Sequence, residues 1–189
     1  NRTHNVLTEG AFVSKSDVIS PVKLAHIVLR TPRFAESVTW WKTVLGAEPR
    51  YTNDFLTFLT YDNEHHRLAI LSMPDLDEND RSMSGLEHVA FTYSDLDALL
   101  STYERLAAIG ISPIAPIHHG MTLSMYYADP DGNQVELQVD AMTPDDSEAF
   151  MASDVFAANP IGVEFDPADL VERRAAGESL EALLKYVAQ

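Results

Sequence analysis

The chain contains no cysteine, has 13 lysines and arginines against 29 acidic residues, and holds no apolar run long enough to cross a bilayer. Each shortage removes a class of function. Without cysteine there is no disulfide framework, zinc ribbon or thiol nucleophile, which suits a reducing compartment. A formal net charge of -16 at pH 7, with the few basic residues scattered, argues against nucleic acid and against an anionic membrane as partners. Both need clustered Lys and Arg. Nothing has the form of a secretion signal, so a soluble cytoplasmic protein is expected. The Asn1-Arg2-Thr3 triplet has the form of a glycosylation acceptor, but nothing else in the chain suggests secretion. At 189 residues the chain is long enough to bury a real core in one or two domains.

What the chain does have is seven histidines, and their spacing is informative. His26 lies in Lys23-Leu-Ala-His-Ile-Val-Leu29, His88 in Leu86-Glu-His-Val-Ala-Phe91, and Glu136 in Asn133-Gln-Val-Glu-Leu-Gln-Val139. Two imidazoles and one carboxylate, with coordination positions left open, are the ligand set of non-haem Fe(II) centres. All three are expected in mid-strand.

The middle of the chain reads as the same unit written twice. Residues 23 to 74 run strand, helix and three short strands. Leu24 to Leu29 is apolar and β-branched, Arg33 to Leu45 carries Phe34, Val38, Trp41 and Val44 at helical spacing, and Gly46 stops it. Strands are expected near Glu48 to Asn53, Phe55 to Tyr61 and Arg67 to Met73. Residues 86 to 140 repeat the order. A strand from Leu86 to Thr92 precedes a helix capped by Ser94 and ended by Gly110, then strands near Pro113 to His118, Thr122 to Ala128 and Gln134 to Asp140. The acidic stretch Asp75 to Asp80 is read as a solvated linker between the units.

The expected architecture is α+β: paired βαβββ modules, 21–75 and 86–141, forming one curved mixed sheet around a cavity. His26 and His88 take the same place in the two repeats, 88 − 26 = 62 residues apart. Alternate side chains of a strand face opposite sides. Val135, Leu137 and Val139 therefore pack beneath the helices, and Glu136 faces the cavity with Gln134 and Gln138. By the same parity His26 shares a face with Leu24 and Val28, and His88 with Leu86 and Ala90, so the three ligands are expected to converge on one concave side.

This arrangement, over about residues 20 to 141, resembles the vicinal-oxygen-chelate superfamily of glyoxalase I, fosfomycin-resistance enzymes, bleomycin-binding proteins and type I extradiol dioxygenases. The segment Asp129-Pro-Asp-Gly-Asn-Gln-Val-Glu136 is common to the superfamily and does not choose a reaction. It is a turn, with Pro130 preset in φ and Gly132 free to take positive φ, that delivers the Glu136 strand in register. The segment before it, Ile117-His-His-Gly-Met-Thr-Leu-Ser-Met-Tyr126, is similar to the extradiol dioxygenase signature, in which a histidine precedes a hydrophobic-Tyr pair and the metal-binding Glu. His119 fits the histidine slot better than His118, because Ile117 then falls two places ahead, and Met125-Tyr126 is the pair. Upstream, Glu64-His-His-Arg-Leu-Ala69 resembles the segment bearing the family's catalytic histidine, with His66 at that spacing and His65 as the fallback.

The resemblance implies Fe(II), or Mn(II) on the same ligands, held by His26, His88 and Glu136, with a catechol-type diol and O2 as substrates. His66 would be the acid/base, since a hydroxyl proton must leave and later return near neutral pH. His119 and Tyr126 would orient the bound diol by hydrogen bonding. Glyoxalase I uses a fourth ligand, a Glu falling here within Leu68 to Leu71, and that stretch has no carboxylate. This weakens an isomerase reading, although a three-ligand lyase or epimerase stays open. A ligand-binding resistance protein would have no use for the trio. Outside the repeat, residues 1–20 read as a polar arm. Residues 142–189 read as a partly helical extension: a helix over Pro144 to Ser153, an extended Asn159 to Pro167, and helices over Ala168 to Arg174 and Glu178 to Val187. It is expected to cover the cavity mouth or a subunit interface in a homo-oligomer.

Overall fold

A computed structural model describes residues 19–187, so the glycosylation-like triplet and nearly all of the N-terminal arm, His4 included, lie outside the described residues. The first repeat forms β1 (Ile27–Thr31), α1 (Phe34–Leu45), β2 (Glu48–Thr52), β3 (Leu56–Thr60) and β4 (Leu68–Ser72). The second forms β5 (His88–Thr92), α2 (Leu96–Ala107), β6 (Ala115–His118), β7 (Thr122–Ala128) and β8 (Gln134–Asp140). The extension adds α3 (Pro144–Met151), α4 (Asp154–Ala158), β9 (Val163–Glu164), α5 (Pro167–Ala175) and α6 (Leu180–Leu183). No helix among the described residues is long and apolar enough to cross a membrane.

The helix ends have local causes. α1 stops because Gly46 takes a left-handed φ of 61° and returns its N–H to the Lys42 carbonyl. α2 is capped by Asp95 rather than Ser94: the Asp95 carboxylate accepts from the Ala98 amide, while the Ser94 hydroxyl donates to Asp95. α3 and α5 each place a proline in the first turn behind a capping Thr143 or Asp166, where the missing N–H costs nothing.

The strands make two open sheets, in the orders β1-β4-β3-β2 and β5-β8-β7-β6-β9. Within each repeat the first and last strands run parallel, His88 opposite Gln134 and Ala90 opposite Glu136. The curved single sheet expected from the repeats is therefore two sheets in one chain, with β1 and β5 at their edges. Strand starts shift accordingly. β1 begins at Ile27 and β5 at His88, so His26 immediately precedes its strand, His88 opens its strand, and Glu136 alone sits in mid-strand.

One apolar core runs through both repeats. It includes Trp41 and Val44 of α1, Leu59, Leu68 and Ile70 of the first sheet, Leu96, Leu99 and Leu106 of α2, and Leu123, Met125, Val135 and Leu137 of the second. The repeats also share polar ties. Trp41 Nε1 donates to Asp129 Oδ2 at 3.1 Å, Arg33 Nη1 to the Pro130 carbonyl at 2.9 Å, and Arg105 Nη1 to the Thr43 carbonyl at 2.7 Å. α5 docks on α2 through a two-pronged pair between Arg174 and Asp97, at 2.7 and 2.9 Å, and buries Leu170.

Candidate metal and diol site

Glu136 projects from the middle of β8 on the face opposite Val135 and Leu137, as the alternation requires, yet it is only 5% exposed. Its carboxylate Oε2 lies 2.9 Å from His88 Nε2 on the parallel neighbour β5. Tyr126, directly opposite Glu136 on β7, sets its ring edge-on to His88 with centroids 5.2 Å apart. Burial first, and then the neighbouring Glu136 carboxylate, hold the Tyr126 hydroxyl far above its ordinary pKa, so it stays a phenol and a donor.

His119 completes this group. Its Nε2 is 3.0 Å from the Tyr126 hydroxyl and its Nδ1 is 2.6 Å from the Ile161 carbonyl. A carbonyl only accepts, so Nδ1 carries the proton and Nε2 accepts from the phenol. His118 points away. It is 6% exposed, its Nε2 donates to the Leu184 carbonyl at 3.0 Å, its Nδ1 accepts from the Gly120 amide at 3.1 Å, and its ring meets Tyr186. Neighbours on one strand face opposite sides, which separates the two roles.

The other histidines gather on the first repeat. The His66 ring stacks on Phe58 at 4.4 Å between centroids and meets His26 at 4.3 Å. His65 Nδ1 approaches His66 Nδ1 at 2.6 Å, leaving His66 Nε2 free. Desolvation, reinforced by His26 and His65, pulls the His66 pKa below its ordinary value and favours the neutral ring. His65 is held by Glu64, whose carboxylate also pairs with Lys23.

The structure thus brings His88, Glu136, Tyr126 and His119 into one cluster, and His26 with His66 into another. Among the described residues no three His, Asp or Glu side chains stand together as a metal-holding set. Five contributing residues, in three groups, were not foreseen from the sequence. Phe58 supplies the surface on which His66 lies. Arg33, just ahead of α1, and Trp41 within it hold the Asp129–Asn133 turn ahead of Glu136. Ile161 and Gly162 hold His119: Gly162 takes φ of 101°, and a Cβ there would come within 2.2 Å of the His118 carbonyl. The only sequence signal for the last was the Asn159-Pro-Ile-Gly162 run.

Comparison with known proteins bears on the family and the fold. Residues 23–137 match the model of the Glyoxalase/Bleomycin resistance protein/Dioxygenase superfamily. The chain is 44% identical over 166 residues to biphenyl-2,3-diol 1,2-dioxygenase 2 of Rhodococcus globerulus, covering 87% of each chain. It is 42% identical to biphenyl-2,3-diol 1,2-dioxygenase 3 of the same organism, covering 82% of this chain and 83% of that one. In three dimensions it is similar to a glyoxalase/dioxygenase from Nostoc punctiforme, with a TM-score of 0.55, 20% identity and coverage of 65% of this chain and 96% of the other.

Proposed function

The chain belongs to the Glyoxalase/Bleomycin resistance protein/Dioxygenase superfamily, and within it we propose an extradiol dioxygenase that uses O2 to open an aromatic diol beside its two hydroxyl-bearing carbons. The R. globerulus relatives make biphenyl-2,3-diol the first diol to test.

One observation carries the reading. Glu136 is buried, and its ion-pair partner among the described residues is the imidazole of His88 rather than a Lys or Arg. A buried carboxylate without a counter-ion is costly, and a cation between Glu136 and His88 removes that cost. The donors are nitrogen and oxygen, which suit Fe(II), and Mn(II) as its substitute. The sequence resemblance makes His26 the third ligand, although in this chain it stands beside His66 and apart from Glu136 and His88. What the metal supplies when bound is chelation of both diol oxygens and of O2 on one open face.

The remaining work falls to the chain. His66, neutral and with Nε2 free, accepts a diol proton at that atom and later returns it. His119, fixed by the Ile161 carbonyl, holds the Tyr126 hydroxyl beside Glu136 before substrate binds. Tyr126, kept protonated, has one O–H to give, and it turns from His119 Nε2 to a substrate oxygen as charge develops there.

The test is anaerobic reconstitution with Fe(II), followed by biphenyl-2,3-diol and a catechol panel under air, read for the yellow ring-fission product and O2 uptake. Iron-loaded protein that forms no such product rejects the activity. Isomerisation with Ni(II) or Zn(II) and no O2 uptake moves the protein to the lyase class, and stoichiometric ligand binding without metal moves it to the binding proteins.

A further inference from the structure

His118 closes β6 and His119 follows it, yet the two rings reach different parts of the molecule. His119 meets the Tyr126 phenol. His118 is buried, and both of its nitrogens are used: Nε2 donates to the Leu184 carbonyl just past α6, and Nδ1 accepts from the Gly120 amide, in the turn between β6 and β7. Burial holds its pKa below the ordinary value, so the ring carries the single proton that one donor and one acceptor require. A hairpin tip closed by one backbone bond, from the His119 amide to the Thr122 carbonyl at 2.9 Å, is among the freer parts of a sheet. His118 removes that freedom.

The C-terminal extension grips the same turn from two sides. On the His118 side, the Tyr186 ring lies edge-on to His118 at 5.2 Å and to Phe150 of α3 at 5.6 Å, and Phe150 packs on Gly120 in the space a Cβ would fill. On the His119 side, the Ile161 carbonyl takes the Nδ1 proton, and Asn159 braces that loop by bonding both the amide and the carbonyl of Gly162, at 3.0 and 2.6 Å. β9 joins the sheet at this point, with Val163 opposite His118.

We infer that His118 is a positioning residue: it couples the chain end at Leu184 and Tyr186 to the β6–β7 turn, and so sets where His119 holds the Tyr126 hydroxyl. The inference rests on the dioxygenase reading of His119 and Tyr126. His118 itself moves no proton in the reaction. A misplacement of about 1 Å near the reacting atoms costs up to about 100-fold in rate. Because the phenol acts on charge that develops only in the transition state, the loss falls on kcat and leaves KM little changed.

Two substitutions of the full-length iron-loaded chain test this. His118→Phe keeps a ring beside Tyr186 but offers neither bond, whereas His118→Asn restores the acceptor for the Gly120 amide. His118→Phe should lower kcat about 10-fold with KM within about 2-fold and iron content unchanged, and His118→Asn should recover to within about 3-fold of wild type. In a His119→Ala background the same His118→Phe change should lower kcat by less than about 2-fold, since the effect passes through His119. Equal factors in the two backgrounds, or wild-type kcat for His118→Phe, overturn the inference. Should His118→Phe not fold, Tyr186→Ala replaces it in the same two backgrounds and is read in the same way. A readout independent of turnover is the Nδ1 proton of His119, followed by NMR in the full-length chain kept free of paramagnetic iron. It should be protected from water in the wild type and exchange in His118→Phe, and an unchanged resonance counts against the coupling. A wild type that cleaves no diol while this proton still responds to His118 fails the activity and upholds the positioning.

Discussion

Replacing Asp129 by alanine is expected to destabilise the protein by about 3–5 kcal/mol, a large effect for one side chain outside the metal and diol groups. The Asp129 carboxylate is 5% exposed and accepts four N–H groups: Trp41 Nε1 at 3.1 Å, the Asp131 amide at 2.9 Å, the Asn133 amide at 2.8 Å and Asn133 Nδ2 at 3.0 Å. The indole N–H of Trp41 is sealed from water, so its orphaning costs about 1–3 kcal/mol. Loss of the charge-assisted bonds within the turn supplies the rest, softened because those amides are only part-buried. Trp41→Phe removes the donor from the other side. Since each single change strands the other's partner, the double variant should cost about 1–2 kcal/mol less than the sum. Urea unfolding followed by circular dichroism, at fixed protomer concentration, gives the four stabilities. An Asp129→Ala loss below about 1 kcal/mol, or strictly additive costs, refutes the claim that this contact staples the repeats together.

Tyr126→Phe should lower kcat/KM about 10- to 100-fold while leaving iron content unchanged, because the phenol is assigned to the substrate oxygen and not to the metal. Loss of iron in that variant contradicts the assignment. Gly162→Ala places a methyl against the His118 carbonyl at a φ that favours glycine, so β9 must shift and the Ile161 carbonyl leaves His119. Turnover should fall with iron retained, and unchanged turnover would show that the extension does not position His119. Burial holds the His118 pKa below its ordinary value of about 6.5, so the native ring is neutral and the unfolded chain takes the proton first as pH falls. His118→Phe should therefore flatten the fall in the urea midpoint between about pH 7 and 5, and equal slopes would exclude His118 as its source.

The ligand candidates and the repeat were legible because they are periodic. β7 and β8 run from Thr122 to Ala128 and from Gln134 to Asp140 as alternation indicates, since both are interior strands with one apolar face. β1 and β5 begin later than their apolar patterns, because an edge strand has one ladder to hold its ends. The preference for His119 over His118 came from matching a motif. The structure adds the physical difference, one ring on the Tyr126 phenol and the other locked under Leu184.

Sequence by itself determined which residues carry donor atoms, their spacing and the face of the strand each occupies, because these follow from chain geometry over a few residues. Only the tertiary structure decided which donors meet. Trp41, Arg33 and Arg105 commit the inner faces of the two repeats to one core, so His26 and Glu136 stand apart in one chain. That outcome depends on packing between segments about 90 residues apart, Trp41 against Asp129, and no local pattern encodes it.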